Sequence, residues 1–441
     1  MPYPQQGTID MEPICAPATP LLSSSVAIIR VSGDKLSQLL EPLVKLPRPR
    51  AASMRRLEWD GYSEMALVLY FPAPRSYTGE DVVEFQVHGN PLLVRRLLEY
   101  LGGIGVRLAK PGEFTRRALL NGRQDLLDVE ALKDLMDAAT DAQIRQAQAR
   151  LGGMPAWIME AKEKIAFWAA RAEAAVDYGE DEDISLDVAA LKRDAAGLNE
   201  TFHVEQKRSA SAGWLKDGVR VAIVGRPNAG KSTLFNALAG EDRAIVTELP
   251  GATRDVLEAR CEWAGLPLCL FDTAGLRRSE DPIELLGIAR VDPILEQADL
   301  ILHLVPAPDG APDPEIISRL APYQEKALLI RTKGDLAERD GICVSAMNGR
   351  LEPLEQVFKQ RFLGEFAPDA CLGALATKRQ RELLAGLIQQ MELIANLPDA
   401  CPVELPASLL QGAWGLIMRL TGEDRADAAL DALFSGFCLG K

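Results

Sequence analysis

The sequence predicts a multidomain α+β and α/β protein in which an all-α helical domain is split by an inserted α/β domain. Three observations predict it. Short alternating apolar runs up to about residue 122 give way to apolar residues at helical spacing from Asp125, and then to strand–helix alternation over 217–365. The stretch after 366 is helical again but short for a core of its own. The helices of 125–212 also need a packing partner, and a domain whose ends lie close together can be inserted into another. The expected domains are 1–122, 123–215, 216–366 and 367–441.

Taken in order, residues 1–10 read as a tail. Val26–Val31, Met65–Phe71 and the alternating Val83, Phe85, Val87 read as strands, Pro91–Leu101 as a helix with proline in its first turn, and 105–108 as a short strand. Pro111-Gly112-Glu113-Phe114 opens another helix. From Asp125 one helix is expected to run to the break at Gly152-Gly153, with Leu126, Val129, Leu132 and Leu135 on its apolar face. Helices at 155–176 and 186–212 follow, separated by the acidic Gly179–Asp183. Strands are expected at 219–224, 266–271, 300–305, 327–330 and 342–344, in a mainly parallel sheet, and helix from Ala374 onward.

The 441 residues are 47% apolar and 25% charged, which suits a globular chain with a large core. Seven scattered cysteines without a Cys-x2-Cys pair, and only three histidines, argue against disulfides and zinc and for a reducing cytoplasm. The first residues carry neither a basic n-region nor an apolar h-region, and no apolar run reaches membrane-spanning length. Net charge is −14 but uneven: residues 1–121 carry 14 basic and 12 acidic groups, and the remainder 35 and 51. No global basic field attracts nucleic acid, so any such binding is local or assisted by a partner.

The chemistry begins at Gly225-Arg-Pro-Asn-Ala-Gly-Lys-Ser-Thr233, a Gly-x4-Gly-Lys-Ser/Thr loop between a strand and a helix. Such a loop presents backbone N–H groups of Asn228, Ala229, Gly230, Ser232 and Thr233 to phosphates. Lys231 reaches the β and γ phosphates and Ser232 holds Mg2+. Asp272-Thr273-Ala274-Gly275 ends an apolar strand; Asp272 suits Mg2+ held through water, and the Gly275 N–H suits sensing of a γ-phosphate. Thr332-Lys333-Gly334-Asp335 follows another strand at the guanine-reading position, where the Asp335 carboxylate accepts from the base, although Asn is usual at the first position. Ser345-Ala346 fits the last guanine-contact loop. Gly251-Ala-Thr-Arg-Asp255 reads as the first switch, with Thr253 a Mg2+ ligand in the triphosphate state. Together these motifs specify a GTP-binding hydrolase with a Ras-like P-loop G domain. Leu276 stands where many small GTPases have glutamine, so water must be oriented by another group; Arg277, Arg278, Glu280, Asp281 and Glu284 are candidates among which the residues alone do not choose.

The whole chain resembles the MnmE (TrmE) family of bacterial tRNA-modifying GTPases. The resemblance rests on the phosphate loop, Ala244–Asp255, Tyr77-Thr-Gly-Glu-Asp-Val-Val-Glu84, Pro111-Gly-Glu-Phe-Thr115 and the terminal Phe437-Cys-Leu-Gly-Lys441. It implies a homodimer with K+-dependent G-domain dimerisation, Asn228, Thr247 and Leu249 holding K+, and Thr247 lying at the GTP site. It picks Glu284 as the catalytic residue. It implies an N-terminal folate-binding-like α+β dimerisation domain that takes 5-formyl-tetrahydrofolate or a related one-carbon folate, contacted by Arg30, Glu84, Arg123 and Lys441. It also implies a role for Cys438 in tRNA modification, and a heterotetramer or larger complex with the FAD- and NADH-using partner MnmG that modifies carbon 5 of the wobble uridine. Arg123 stands where lysine is usual, and Leu22–Ser25 replaces the family's Arg-Gly-Gly-Val-Gly. The alternatives are a ribosome-assembly or tRNA-processing switch GTPase without modification activity, and a folate-binding scaffold with a decayed GTPase. The first needs an RNA-binding module that the sequence does not display, and the second conflicts with the intact Lys231, Ser232, Thr253 and Asp272.

Overall fold

The computed structural model describes residues 12–178, 186–240, 257–272, 292–309, 311–337, 340–424, 433–434, 436–437 and 440. The chain forms two compact units, one of residues 1–130 with 421–441 and the other of residues 131–420.

The first unit is built on a six-stranded sheet of β1 (Ile14–Pro17), β2 (Ser24–Gly33), β3 (Ser53–Trp59), β4 (Tyr62–Phe71), β5 (Asp81–Gly89) and β6 (Arg107–Leu108), in the order β3-β4-β5-β2-β1-β6. Only the β1–β6 pair is parallel. Alternation sorts the side chains: Ala27, Ile29, Val31, Leu57, Val68, Phe85 and Val87 are buried in one core with Leu36, Val94, Leu97 and Leu101 of helices α1 (Leu36–Leu39) and α2 (Pro91–Gly103). Asn90 caps α2 by accepting from the N–H groups of Leu92 and Leu93 at 2.9 and 3.2 Å, and Pro91 fills the first position. Helices α3 (Glu113–Leu120) and α4 (Leu126–Asp137) follow.

In the second unit, α5 (Asp141–Arg150), α6 (Ala156–Tyr178) and α7 (Val188–Asp217) precede the nucleotide-type sheet. The single helix expected from Asp125 to Gly152 is two. Thr140 accepts from the Gln143 N–H at 3.3 Å while the Gln143 side chain accepts from the Ala139 N–H at 2.9 Å, so this reciprocal cap ends α4 and restarts the chain as α5.

The sheet consists of β7 (Val219–Gly225), β8 (Leu257–Trp263), β9 (Leu266–Asp272), β10 (Leu300–Pro306), β11 (Ala327–Thr332) and β12 (Ile342–Cys343), ordered β12-β11-β10-β7-β9-β8. All neighbours are parallel except the β8–β9 hairpin. Helix α8 (Lys231–Ala239) follows β7, a helical stretch through 292–297 (α9) precedes β10, and α10 (Pro314–Leu320) and α11 (Glu352–Phe358) lie later. β10 is buried throughout, as a central parallel strand covered on both faces must be. After the sheet come α12 (Lys378–Ala395), opened by a Thr377–Gln380 capping box, and α13 (Glu404–Thr421). α12 packs along α7. No described helix is long and apolar enough to cross a membrane.

Candidate functional sites

The phosphate loop lies where β7 delivers the chain to α8. Gly225 ends β7 opposite Leu304 of β10, and a Cβ there would lie 2.7 Å from the Leu304 carbonyl oxygen, so only glycine lets the strands approach. Asn228 and Gly230 have φ of +62° and +89°, the left-handed backbone with which a phosphate-binding loop curls. The Lys231 ammonium donates to the carbonyls of Gly225 (2.8 Å) and Arg226 (3.0 Å), folded over the loop that a phosphate would occupy. Ser232 and Thr233 are exposed on the first turn of α8.

The Thr332–Asp335 segment is tied to this loop. Thr332 ends β11 and donates its hydroxyl to the Ala229 carbonyl at 2.7 Å; the residue is 5% exposed. Its hydroxyl thus ties the end of β11 to the phosphate loop. Lys333 turns the chain with φ +56°. Asp335 accepts from the Ser345 hydroxyl at 2.7 Å. That bond, with the Asp335 backbone N–H and the Arg350 charge, holds its carboxyl below the usual carboxylate range against desolvation, so it is an ionised acceptor. Ser345 is buried and Ala346 opens a short 3₁₀ turn beside it. The structure thus brings together Asn228, Ala229, Gly230, Lys231, Ser232 and Thr233 with Thr332, Lys333, Asp335, Ser345 and Ala346. Asp272 ends β9 in register with Ile223, beside the loop. The exposed Ser232 and the Asp272 position fit a Mg2+ site. Thr247, Leu249, Thr253, Thr273, Ala274, Gly275, Glu284, Cys438 and Lys441 lie outside the described residues.

A second site lies on the other face of the first unit's sheet. Arg30 donates through Nε to Glu84 at 2.9 Å and through a terminal nitrogen to the Gly440 carbonyl at 3.0 Å, while its guanidinium lies over the rings of Tyr77 and Phe114. Met54, Leu67, Gln86 and Ile28 pair across the strands on this face, with Leu69 beside Glu84. Met54, Met65 and Val26 are exposed. Two of the sequence-derived folate residues, Arg30 and Glu84, are thereby joined; Arg123 is exposed, and its side chain lies beside Gly79 in the loop between β4 and β5. This pair and its exposed apolar surround fit a ligand with both charged and flat aromatic parts.

Sequence reasoning did not single out the network behind this site. Arg117, 1% exposed, pairs with Glu80 at 3.0 Å and Glu113 at 3.1 Å and donates to the Glu12 carbonyl at 2.8 Å. Ser32 donates to Glu80 at 2.7 Å. Burial alone would raise the Glu113 carboxyl, but hydrogen bonds from Arg107, the Lys110 N–H and Arg117 hold it down at about 2. The signal was present: Glu80 and Glu113 both sit in the motifs that carried the family resemblance.

Residues 13–123 match the family model described as GTP-binding protein TrmE N-terminus, and residues 126–438 match the MnmE helical domain. A curated tRNA modification GTPase MnmE from Methylorubrum populi is 39% identical over 451 residues, covering 98% of each chain. The chain belongs to the MnmE family. An MnmE from Phenylobacterium zucineum is 40% identical over 452 residues, covering 97% of this chain and 99% of its own. One from Thermus thermophilus is 35% identical over 444 residues, covering 98% and 99%.

Proposed function

We propose that the protein is a K+-activated GTPase that works with an FAD-containing MnmG partner to modify carbon 5 of the wobble uridine of tRNA in the cytoplasm. The observation that carries this is the Thr332 hydrogen bond to the phosphate loop, with Asp335 three residues on held by Ser345. The full-length similarity to tRNA modification GTPases supplies the wider role. In this reading Asp335 accepts from the guanine N–H groups, Lys231 leaves its loop carbonyls for the substrate's phosphates, and the α8 N-terminus stabilises their charge. Ser232 and Thr253 hold Mg2+, with Asp272 acting through water. Asn228, Thr247 and Leu249 would hold K+; Asn228 is exposed, with a left-handed backbone. Bound there, the two cations would supply positive charge against that developing in phosphoryl transfer. Glu284 orients the attacking water.

The Arg30–Glu84 pair, with Arg123 and the tail ending in Lys441, takes the one-carbon folate. The half-exposed apolar sheet face around it supports homodimerisation through the first unit. The division into domains 1–122, 123–215, 216–366 and 367–441 belongs to the same proposal; the packing of α7 on α12 supports one helical body split by the G domain. GTP turnover in KCl against NaCl tests the reading. Faster turnover in K+, lost in Asn228→Ala, is expected; equal rates in the two salts would remove it.

A further inference from the structure

The first unit carries a basic strip along one edge of its sheet. From residue 45 to residue 57 the chain has Lys45, Arg48, Arg50, Arg55 and Arg56 and no acid. β3 is the terminal strand, and the loop before it extends its pairing: the Arg50 N–H donates to the Tyr70 carbonyl of β4 at 2.8 Å. Arg75 joins the strip, because the Arg50 guanidinium donates to the Arg75 carbonyl. Lys45, Arg48, Arg50, Arg56 and Arg75 are exposed, and Arg55 is half-buried.

Among the described residues none of these six cations holds a carboxylate, whereas Arg30, Arg96, Arg107 and Arg117 of the same unit each do. Their contacts are neutral. Arg55 donates to the Met54 carbonyl at 3.1 Å, Arg56 donates to the Ser63 hydroxyl at 3.5 Å, and Arg50 lies over the Phe71 ring, 6.0 Å from its centroid. Asp81, beside the Phe71–Val82 pair, is turned instead to the Ala73 N–H at 3.0 Å and the Tyr70 hydroxyl. Charge on an edge strand guards against edge-to-edge pairing, and that suffices for Arg55 and Arg56. It does not explain Lys45, Arg48 and Arg75, which lie off the strand.

We infer that this strip holds the phosphate backbone of the tRNA. Guanidinium groups set along a strand and its loop suit successive phosphates, and such contacts position a nucleic acid without reading its sequence. With a net charge of −14 the chain as a whole repels RNA, so a local run of uncompensated cations decides where RNA lands. The strip also borders the Arg30–Glu84 pair. Ser53 at the start of β3 pairs with Val68, the adjoining Leu69 pairs with Glu84, and Glu84 pairs with Arg30. Two strand spacings put β3 about 10 Å from β5, so a backbone held on the strip has its bases within reach of that pair. That the RNA is tRNA rests on the modification reading proposed above.

The test is binding of an unmodified tRNA transcript to the full chain with GDP and Mg2+, by filter retention between about 50 and 200 mM salt. The double variant Arg48→Gln/Arg56→Gln is expected to bind about tenfold or more weakly, and to lower the slope of log affinity against log salt by about two. Its GDP affinity and thermal midpoint stay at wild type, since both side chains are exposed. The matched variant Lys207→Gln/Lys378→Gln removes two exposed cations of the second unit and leaves tRNA binding unchanged. Equal tRNA affinity in wild type and the strip variant, equal weakening by both double variants, or no saturable binding by wild type would each overturn the inference. So would loss of binding to phosphatidylglycerol vesicles in the strip variant with tRNA binding intact, which assigns the strip to a membrane surface. None of these outcomes touches GTP turnover in KCl against NaCl, so the strip and the K+-activated GTPase fail separately.

Discussion

Replacing Thr332 by valine removes one hydroxyl and keeps the shape. The consequence follows from the geometry: the hydroxyl donates to Ala229 at 2.7 Å, the acceptor residue is fully buried and the donor residue is 5% exposed. A buried carbonyl that loses its partner costs about 1–3 kcal/mol, a factor of roughly 5 to 150 in the equilibria that depend on it. That loss divides between folding of the unit and the shape of the phosphate loop. Fluorescent-GDP binding and denaturant unfolding measured on the same variant separate the two shares. The expected result is about tenfold weaker GDP binding with a modest fall in stability, while Thr332→Ser, which keeps the hydroxyl, stays within about threefold of wild type. Wild-type affinity together with wild-type stability in Thr332→Val would refute the role of this hydrogen bond.

Other outcomes follow from the same structure. Asp335→Asn replaces a charged acceptor by a donor, so GDP affinity should fall by about 100-fold or more and xanthosine diphosphate should bind better than GDP; competition binding decides. Glu113 titrates at about 2 in the folded chain, below its value near 4.5 when unfolded. Its contribution is therefore fully present above about pH 5 and is lost as the pH falls toward 2. Unfolding free energy measured from pH 7 to 3 should show a shallower acid decline in Glu113→Gln than in wild type. Gly440 has φ +93°, and a Cβ there would lie 2.4 Å from the Pro17 carbonyl oxygen. Gly440→Ala should displace the tail from Arg30 and cut wobble-uridine modification while leaving GTP turnover intact, read by nucleoside analysis of treated tRNA beside phosphate release.

Much of this was legible in the chain. The phosphate loop, Asp272, Asp335 and Ser345 announce themselves because phosphate and base recognition need particular backbone turns and particular charges at strand ends. Strands β7, β9, β10 and β11 announce themselves because buried parallel strands are nearly continuous apolar runs. Three strands did not. β1 is Ile14-Cys-Ala-Pro, too short to show a period, and its burial comes from both neighbours. β3 hides Leu57 and Trp59 among Arg55, Arg56 and Glu58, and β8 is an edge strand whose polar face dilutes the pattern. The division between α4 and α5 was written in Thr140 and Gln143, but a capping signal inside an apolar repeat is outweighed by the repeat. The role of Thr332 was not legible at all, because which of two partners a hydroxyl takes depends on how close β11 comes to the phosphate loop. Arg117 was hidden for a similar reason: beyond the nearby Glu113, its partners Glu80 and Glu12 lie 37 and 105 positions away in the chain.

The central claim is that GTP hydrolysis and tRNA modification are two steps of one enzyme. The most direct measurement reconstitutes the protein with its MnmG partner, tRNA and a one-carbon folate, and quantifies the modified wobble uridine with GTP or with a non-hydrolysable GTP analogue. The account predicts modification with GTP, and none with the analogue or with Lys231→Ala. Full modification under either of those last two conditions would contradict it.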